Sequence, residues 1–271
     1  MNKIKTWLRN LLSEAKPLVR QTASVALAIP DVLIPGLLLI ALFYMLSSLG
    51  AAYAWPAGVG SLLNLIESIA AMPVAAAVIT YAAAASWEKR GAKLIDAYHL
   101  ARIRIKEIVI TGVVAGLIVL AVNWFASMFY SLIGVIPALL GWIPVIGPVI
   151  TALISAVFQL ISLAMEFIAH IALVAGMLSL TADGITGRPQ LERVLNILRG
   201  AAGNRGLHQL AAIFAAWIIV HAACAVLSLT GSIGLLAGSL LQALLTAVSM
   251  IAVSVVYLQE RDSQDGMRFH A

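Results

Sequence analysis

Six stretches of this chain, at residues 32–54, 62–86, 108–131, 149–180, 208–230 and 235–258, are apolar and hold no lysine or arginine. Each is long enough to cross a hydrocarbon layer of about 30 Å as a helix rising about 1.5 Å per residue. A membrane β-strand would be shorter and would alternate polar with apolar side chains, and none of these stretches alternates. Only 11% of the 271 residues are charged and the mean hydropathy is +1.01. A soluble domain carries about 25% charged residues, so the chain lacks a surface suited to water. The expected fold is all-α: a single membrane domain over 1–271, folded as a polytopic bundle of six transmembrane helices. Within it, 1–29 is a basic amphipathic segment, 30–258 the six-span bundle and 259–271 a tail.

Orientation follows from the basic residues. Lys3, Lys5, Arg9, Lys16 and Arg20 precede the first span, and Lys89, Arg90, Lys93, Arg102, Arg104 and Lys106 lie between the second and third. Arg188, Arg193, Arg199 and Arg205 lie between the fourth and fifth, and Arg261 and Arg268 follow the sixth. These are all 17 lysines and arginines, and a six-span arrangement puts every one on the same side. Basic residues near span ends stay cytoplasmic. The expected location is the cytoplasmic (inner) membrane, with the N-terminus and the C-terminus both in the cytoplasm.

Three basic segments carry an amphipathic pattern. Residues 3–19 set Ile4, Trp7, Leu8, Leu11, Ala15 and Val19 against Lys3, Lys5, Arg9 and Lys16. Residues 92–106 set Leu94, Ala97, Tyr98, Ala101 and Ile105 against Lys93, Arg102, Arg104 and Lys106. Residues 190–199 set Leu191, Val194, Leu195 and Leu198 against Arg193 and Arg199. Such helices lie in the headgroup plane, where each basic residue adds about 1 kcal/mol against anionic lipid. A bilayer with anionic headgroups is thus the expected partner, met by Lys3, Lys5, Arg9, Lys93, Arg102, Arg104, Lys106, Arg193 and Arg199. Nucleic acid is not expected, because this charge hugs the membrane. The chain reads as three units, each an interfacial helix followed by a transmembrane hairpin.

The opposite loops are uncharged. They read Trp55-Pro56-Ala57-Gly58-Val59-Gly60, Ile133 to Pro148, and Thr230-Gly231-Ser232-Ile233-Gly234. Pro137, Pro144 and Pro148 break any continuous helix in the longest. Irregular apolar backbone does not face lipid unsatisfied. That loop is expected to re-enter the bundle, to lie in the interface, or to be covered by a protein partner.

Ionisable side chains inside a bilayer are costly, so each is a functional candidate. Glu166 and His170, four apart, share a helical face, His221 lies in the fifth span, and Asn123, Gln159 and Gln242 add polar groups. Glu166, His170, His221 and Asn123 form the candidate intramembrane polar site, as a proton relay or solute path. The alternative is structural, with Glu166 protonated or paired to His170. Two histidines and a carboxylate also suit a metal, but no spacing fixes a third ligand. Glu67 is read as interfacial, near the outer end of its span. Gly112-x-x-x-Gly116 and Gly234-x-x-x-Gly238 permit close helix approach.

The single cysteine, Cys224, excludes an internal disulfide and any cysteine-built metal site. No Gly-x-x-x-x-Gly-Lys-Ser/Thr, His-Glu-x-x-His or Gly-x-Ser-x-Gly run occurs. Neither enzymatic activity nor a cofactor is expected.

Gly91-Ala92-Lys93-Leu94-Ile95-Asp96-Ala97-Tyr98 leads to Arg102, and Asp183-Gly184-Ile185-Thr186-Gly187-Arg188-Pro189 leads to Leu195 and Arg199-Gly200. With the closing run Tyr257-Leu258-Gln259-Glu260-Arg261 and Gly266, these resemble the broad family of six-span proteins that includes the YciC-type proteins and the membrane domain attached to some glycerophosphodiester phosphodiesterases. In that family a loop glycine precedes an amphipathic helix that re-enters the membrane, and the last span ends in a Tyr-x-x-x-Arg-like run. The family's membrane domain is not catalytic, so the resemblance implies no active-site residues.

Two functions fit these readings. The first is a non-enzymatic accessory or scaffold subunit of a larger membrane complex, with partners at the uncharged loops. The alternative is a transporter or permease for a small solute or lipid. The two differ in where Glu166, His170 and His221 point: tightly against neighbours in a scaffold, into a polar cavity in a transporter.

Overall fold

The structure, a computed structural model, describes residues 2–133, 146–201 and 204–268. The first helices are α1 (Asn2–Ala28), α2 (Pro30–Ala52) and α3 (Ala57–Ile66), which passes through a π-helical turn (Glu67–Ala71) into α4 (Met72–Trp87). Then come α5 (Leu94–Ile103), α6 (Ile105–Ile133), α7 (Ile146–Thr181), α8 (Arg188–Ala201), α9 (Asn204–Ser228) and α10 (Ser232–Arg268). The protein is an all-α polytopic helix bundle. Among the described residues, five segments are long and apolar enough to cross a membrane: Pro30–Gly50, Glu67–Trp87, Pro148–Thr181, Gly206–Ser228 and Ser232–Asp265. The remaining expected span, the third at 108–131, falls within α6, a helix of 29 residues. Of the loop expected over Ile133 to Pro148, residues 134–145 lie outside the described residues, and Ile146, Gly147 and Pro148 instead form the first turn of α7.

Sequence punctuation sets the helix boundaries. Pro30 has no N–H with which to continue α1, so the chain restarts there as α2. Gly91, at φ +62°, and Gly187, at φ +71°, take left-handed turns just before α5 and α8. The pattern of a short helix before each hairpin is realised by α1, α5 and α8.

The half of α10 that follows Gln242 is the axis of the bundle. From Ser249 to Leu258 every residue is buried. Alanine-rich α4 lies against it, with Ala75, Ala76, Ala77, Ala82, Ala83 and Ala84 at most 1% exposed. Side chains this small let backbones approach, which is how helices gain packing energy in lipid. Contacts of Arg104 with α7, of Arg193 with α10 and of Arg261 with Glu88 at the end of α4 bring these arginines together at one end of the bundle, the basic end. The turns after α2 and α9 lie at the other.

The amphipathic helices also pack on the bundle through positions beside their apolar stripes. In α1, Leu18, Thr22 and Val25 are buried and Val19 is 66% exposed. The reason is contact with α9 and α10, through stacking of Trp7 near His208 and a Gln259–Gln21 hydrogen bond of 2.5 Å. In α8, Val194 and Ile197 are buried, whereas Leu191 and Leu195 are exposed. The segment 92–106 breaks at Arg104, so Ile105 already belongs to α6. Residues 259–268, expected as a tail, continue α10 as helix, held by ion pairs of Arg261 and Asp265.

Candidate functional site

Glu67 sits on the π-helical turn. Pro73 has no N–H to give the Ile69 carbonyl four residues back, which breaks regular α-helical bonding at this point. A π turn adds a residue and re-aims the side chains around it, a feature frequent at functional sites. Facing it is Gly112 of α6, where a Cβ would lie 2.8 Å from the Pro73 Cβ and 3.3 Å from the Ile69 carbonyl oxygen. One turn on, at Gly116, a Cβ would meet only the Ser68 Cβ, at 4.0 Å. The first glycine lets α6 close on α4, and the second leaves space.

That space is part of a cavity of about 680 Å³ lined by α2, α3, α4, α6, α7, α9, α10 and the π turn, open on the side where Leu65 and Leu117 are exposed. Its polar lining comprises Tyr44, Glu67, Ser68, Glu166, His170, Trp217 and Gln242, and the rest is aliphatic, from Leu65, Ile69, Met72, Val113, Leu117 and Leu173 among others. Tyr44, Glu67 and Gln242 stand roughly 12–15 Å along their helices from the ends opposite the basic end, at about 1.5 Å per residue. Toward the basic end, Met177, Leu178, Leu180, Met250, Ile251 and Val255 are all 0% exposed. A dry, packed layer separates the cavity from the basic end.

The hydroxyls of α10 organise one wall. Ser249 donates to the Thr246 carbonyl at 2.8 Å, so at 2.9 Å from His170 Nε2 it accepts that nitrogen's proton. Thr246 donates to the Gln242 carbonyl at 2.9 Å and therefore accepts from the Tyr44 hydroxyl at 3.2 Å. His221 uses Nδ1 on the Trp217 carbonyl, 2.8 Å away, which leaves Nε2 to accept from the Gln242 amide at 3.5 Å. The Trp217 ring lies between the histidines, with centroids 5.2 Å from His170 and 5.3 Å from His221. Trp217 is 6% exposed and its indole N–H has no hydrogen-bond partner.

Glu166 and His170 do share the face expected of them, and both line the cavity. They do not pair: Ser249 serves His170, while Ser162 hydrogen-bonds Glu166. His221 reaches the site through Trp217 and Gln242. Asn123 lies on α6, in a stretch where its side chain is outside the description. Glu67, expected at the end of its span, joins the site as well. It is the first residue of the apolar segment Glu67–Trp87, and its side chain lines the same cavity as Glu166. Sequence reasoning also passed over Tyr44 and Trp217. The signal for Trp217 was present, since it sits four residues before His221 and shares its face.

A second cluster closes the basic end. Tyr257 donates to Asp183 at 2.7 Å, and Asp183 faces Arg261 at 3.4 Å and Arg193 at 3.5 Å. Arg193 reaches Asp265 at 3.3 Å, and Arg261 reaches Glu88 at 3.0 Å and Asp262 at 3.2 Å. The Trp87 indole donates to Asp262 at 2.9 Å. Arg193, expected at the headgroups, is instead 15% exposed in these pairs, and Arg104 spends its guanidinium on the Leu180 carbonyl at 3.1 Å. Lys5, Arg9, Lys93, Arg102, Lys106 and Arg199 are exposed; the Lys3 side chain is outside the description. The cluster is built largely from the residues of the expected motifs, Asp183 and the Tyr257–Arg261 run, which serve to tie α4, α8 and α10 together. Among the described residues no group of three or more His, Cys, Asp and Glu side chains is placed to hold a metal ion.

No family model matches the chain, and neither a curated protein nor a solved structure does.

Proposed function

We infer that the chain is a non-enzymatic permease of the cytoplasmic (inner) membrane, which binds a small solute in the intramembrane cavity and passes it across the bilayer. The observation that supports this reading is the cavity itself, which sets two carboxylates, two aromatic rings and an amide inside a helix bundle. A volume of about 680 Å³ falls in the range of about 300–1,000 Å³ usual for small-molecule sites. A scaffold gains nothing from polar groups held open in lipid, where each costs free energy unless it is used. In this reading the basic end is cytoplasmic. Lys5, Arg9, Lys93, Arg102, Lys106 and Arg199 meet anionic headgroups, while Ile95 and Tyr98 of α5 and Leu191 of α8, all more than half exposed, enter the acyl boundary. The packed layer below the cavity is the barrier that opens toward the cytoplasm.

The test is a thermal-shift screen of the purified chain against small amphiphiles of positive, negative and no charge. A ligand that binds only the folded state stabilises it by mass action. At least one class is expected to raise the melting temperature, and Gly116→Leu, which fills the open side of the cavity, should abolish that rise. No stabilising class, or a shift that survives Gly116→Leu, contradicts the reading.

An accessory-subunit role is the second reading. It rests on the uncharged turns at the end away from the basic residues, where Leu229 and Ile233 are 83% and 82% exposed beside Tyr53 at 65%. Mild-detergent purification from the native membrane decides it: subunits that co-elute in fixed ratio support it, and elution alone rules it out.

A further inference from the structure

We propose that the cavity takes a lipophilic organic cation, an amphiphile with one quaternary or protonated amine centre, in a position set by Glu67 and Glu166. The inference rests on the permease reading above and adds the substrate class.

The sign of the site follows from its inventory. Glu67 and Glu166 both line the cavity, and no lysine or arginine lines it beside them. A carboxylate inside a bundle needs a proton or a counter-charge, and the protein supplies no fixed cation to either side chain within the cavity. A mobile cation completes the site.

The size and greasiness of the occupant follow from the remaining lining. No cluster of three metal-type ligands exists among the described residues, and the aliphatic side chains of Leu65, Ile69, Val113 and Leu117 face the same space. A bare metal ion would gain nothing from them, and an amphiphile buries against them at about 25 cal/mol per Å² of apolar surface. Aromatic faces suit the charged centre: Tyr44 and Trp217 both line the cavity, and a desolvated cation is attracted to the face of such a ring. The unpartnered N–H of Trp217, buried in the wall, offers a donor to a hydroxyl or carbonyl near that centre. An anion of the same shape would meet two carboxyl groups and is excluded.

Tetraphenylphosphonium and tetraphenylborate are nearly identical in shape and opposite in charge, which makes them the probe pair. Equilibrium dialysis is run on the purified full-length chain in detergent, on the Glu67→Gln and Glu166→Gln variants and on Gly116→Leu, each checked for helical content and monodispersity. The expected result is saturable binding of tetraphenylphosphonium, weakened at least tenfold by either Gln variant and lost in Gly116→Leu, with no saturable binding of tetraphenylborate. Equal binding of the two ions, or binding of the cation that survives both Gln variants, overturns the charge assignment and leaves the cavity reading standing. If neither ion binds and the amphiphile screen is also blank, both readings fall. If neither binds while a neutral or anionic amphiphile shifts the wild type, the cation assignment alone is overturned.

Discussion

Glu67 and Glu166 face one cavity from different helices, Glu67 on the π turn before α4 and Glu166 in the middle of α7. Neither has a lysine or arginine beside it in the cavity lining. Two acids placed so are expensive for a structural element and useful to a binding site. Trp217, Tyr44 and Gln242 complete the wall, and the packed layer through Met177 and Ile251 closes it toward the basic end.

If the acids serve binding rather than folding, neutralising one should separate the two properties. Glu67→Gln replaces a carboxyl of the cavity wall by an amide of the same shape. Its melting temperature in detergent is expected to match or exceed that of the wild type, while ligand-induced stabilisation falls. A variant that loses both together would mark Glu67 as a structural residue.

Ser249 and His170 form a buried interhelical bond of 2.9 Å between α10 and α7. Ser249→Ala leaves the imidazole N–H without that partner, a loss of about 0.6–2 kcal/mol. A double-mutant cycle with His170→Leu, read by unfolding in mixed micelles, should return a coupling energy in that range. Additivity of the two substitutions would show that the bond contributes nothing.

The basic-end cluster should behave as a unit. Arg261 is 12% exposed and pairs with Asp183, which is 10% exposed. Removing one member of a buried ion pair costs about 3–5 kcal/mol, and exposure of the network edge at Glu88 and Asp262 lowers the expected cost of Arg261→Ala to about 2–3 kcal/mol. Arg188→Ala breaks only the exposed pair with Glu192 and is expected to cost under about 1 kcal/mol. Urea or dodecyl-sulfate titration of the three proteins checks the order. Equal stability of Arg261→Ala and Arg188→Ala would contradict the account of this end.

Orientation is open to direct labelling. In right-side-out membrane vesicles, Thr230→Cys should react with an impermeant maleimide, and Lys93→Cys only after permeabilisation. Native Cys224 is half-buried and engaged with the Gly238 carbonyl at 3.3 Å, so its background is low. Reversed labelling would place the basic end outside.

Much of the architecture was legible in sequence because membrane spans announce themselves by length and charge exclusion. The helices that precede each hairpin, the close approach at Gly112 and the shared face of Glu166 and His170 were all readable from spacing. The register of α1 and α8 was not. Their apolar positions suit either lipid or protein, and only contact with α9 and α10 decides that Leu18 goes in and Val19 out. The place of Glu67 in the cavity was not legible, because the π turn that carries it and the helices that face it are brought together only by the fold. The pairing of Arg193 with Asp183 and Asp265 was likewise invisible, since it joins residues that sequence distance separates.

The central claim is that Glu67 and Glu166 share a cavity that an occupant can fill. Dicyclohexylcarbodiimide modifies carboxyl groups in apolar surroundings, and mass spectrometry of the labelled chain reads the site directly. The account predicts adducts at Glu67 and Glu166, both suppressed by saturating tetraphenylphosphonium and both absent at Asp183, which is engaged with Tyr257, Arg193 and Arg261. Labelling at neither glutamate, or labelling that only one of them loses on adding the cation, would contradict it.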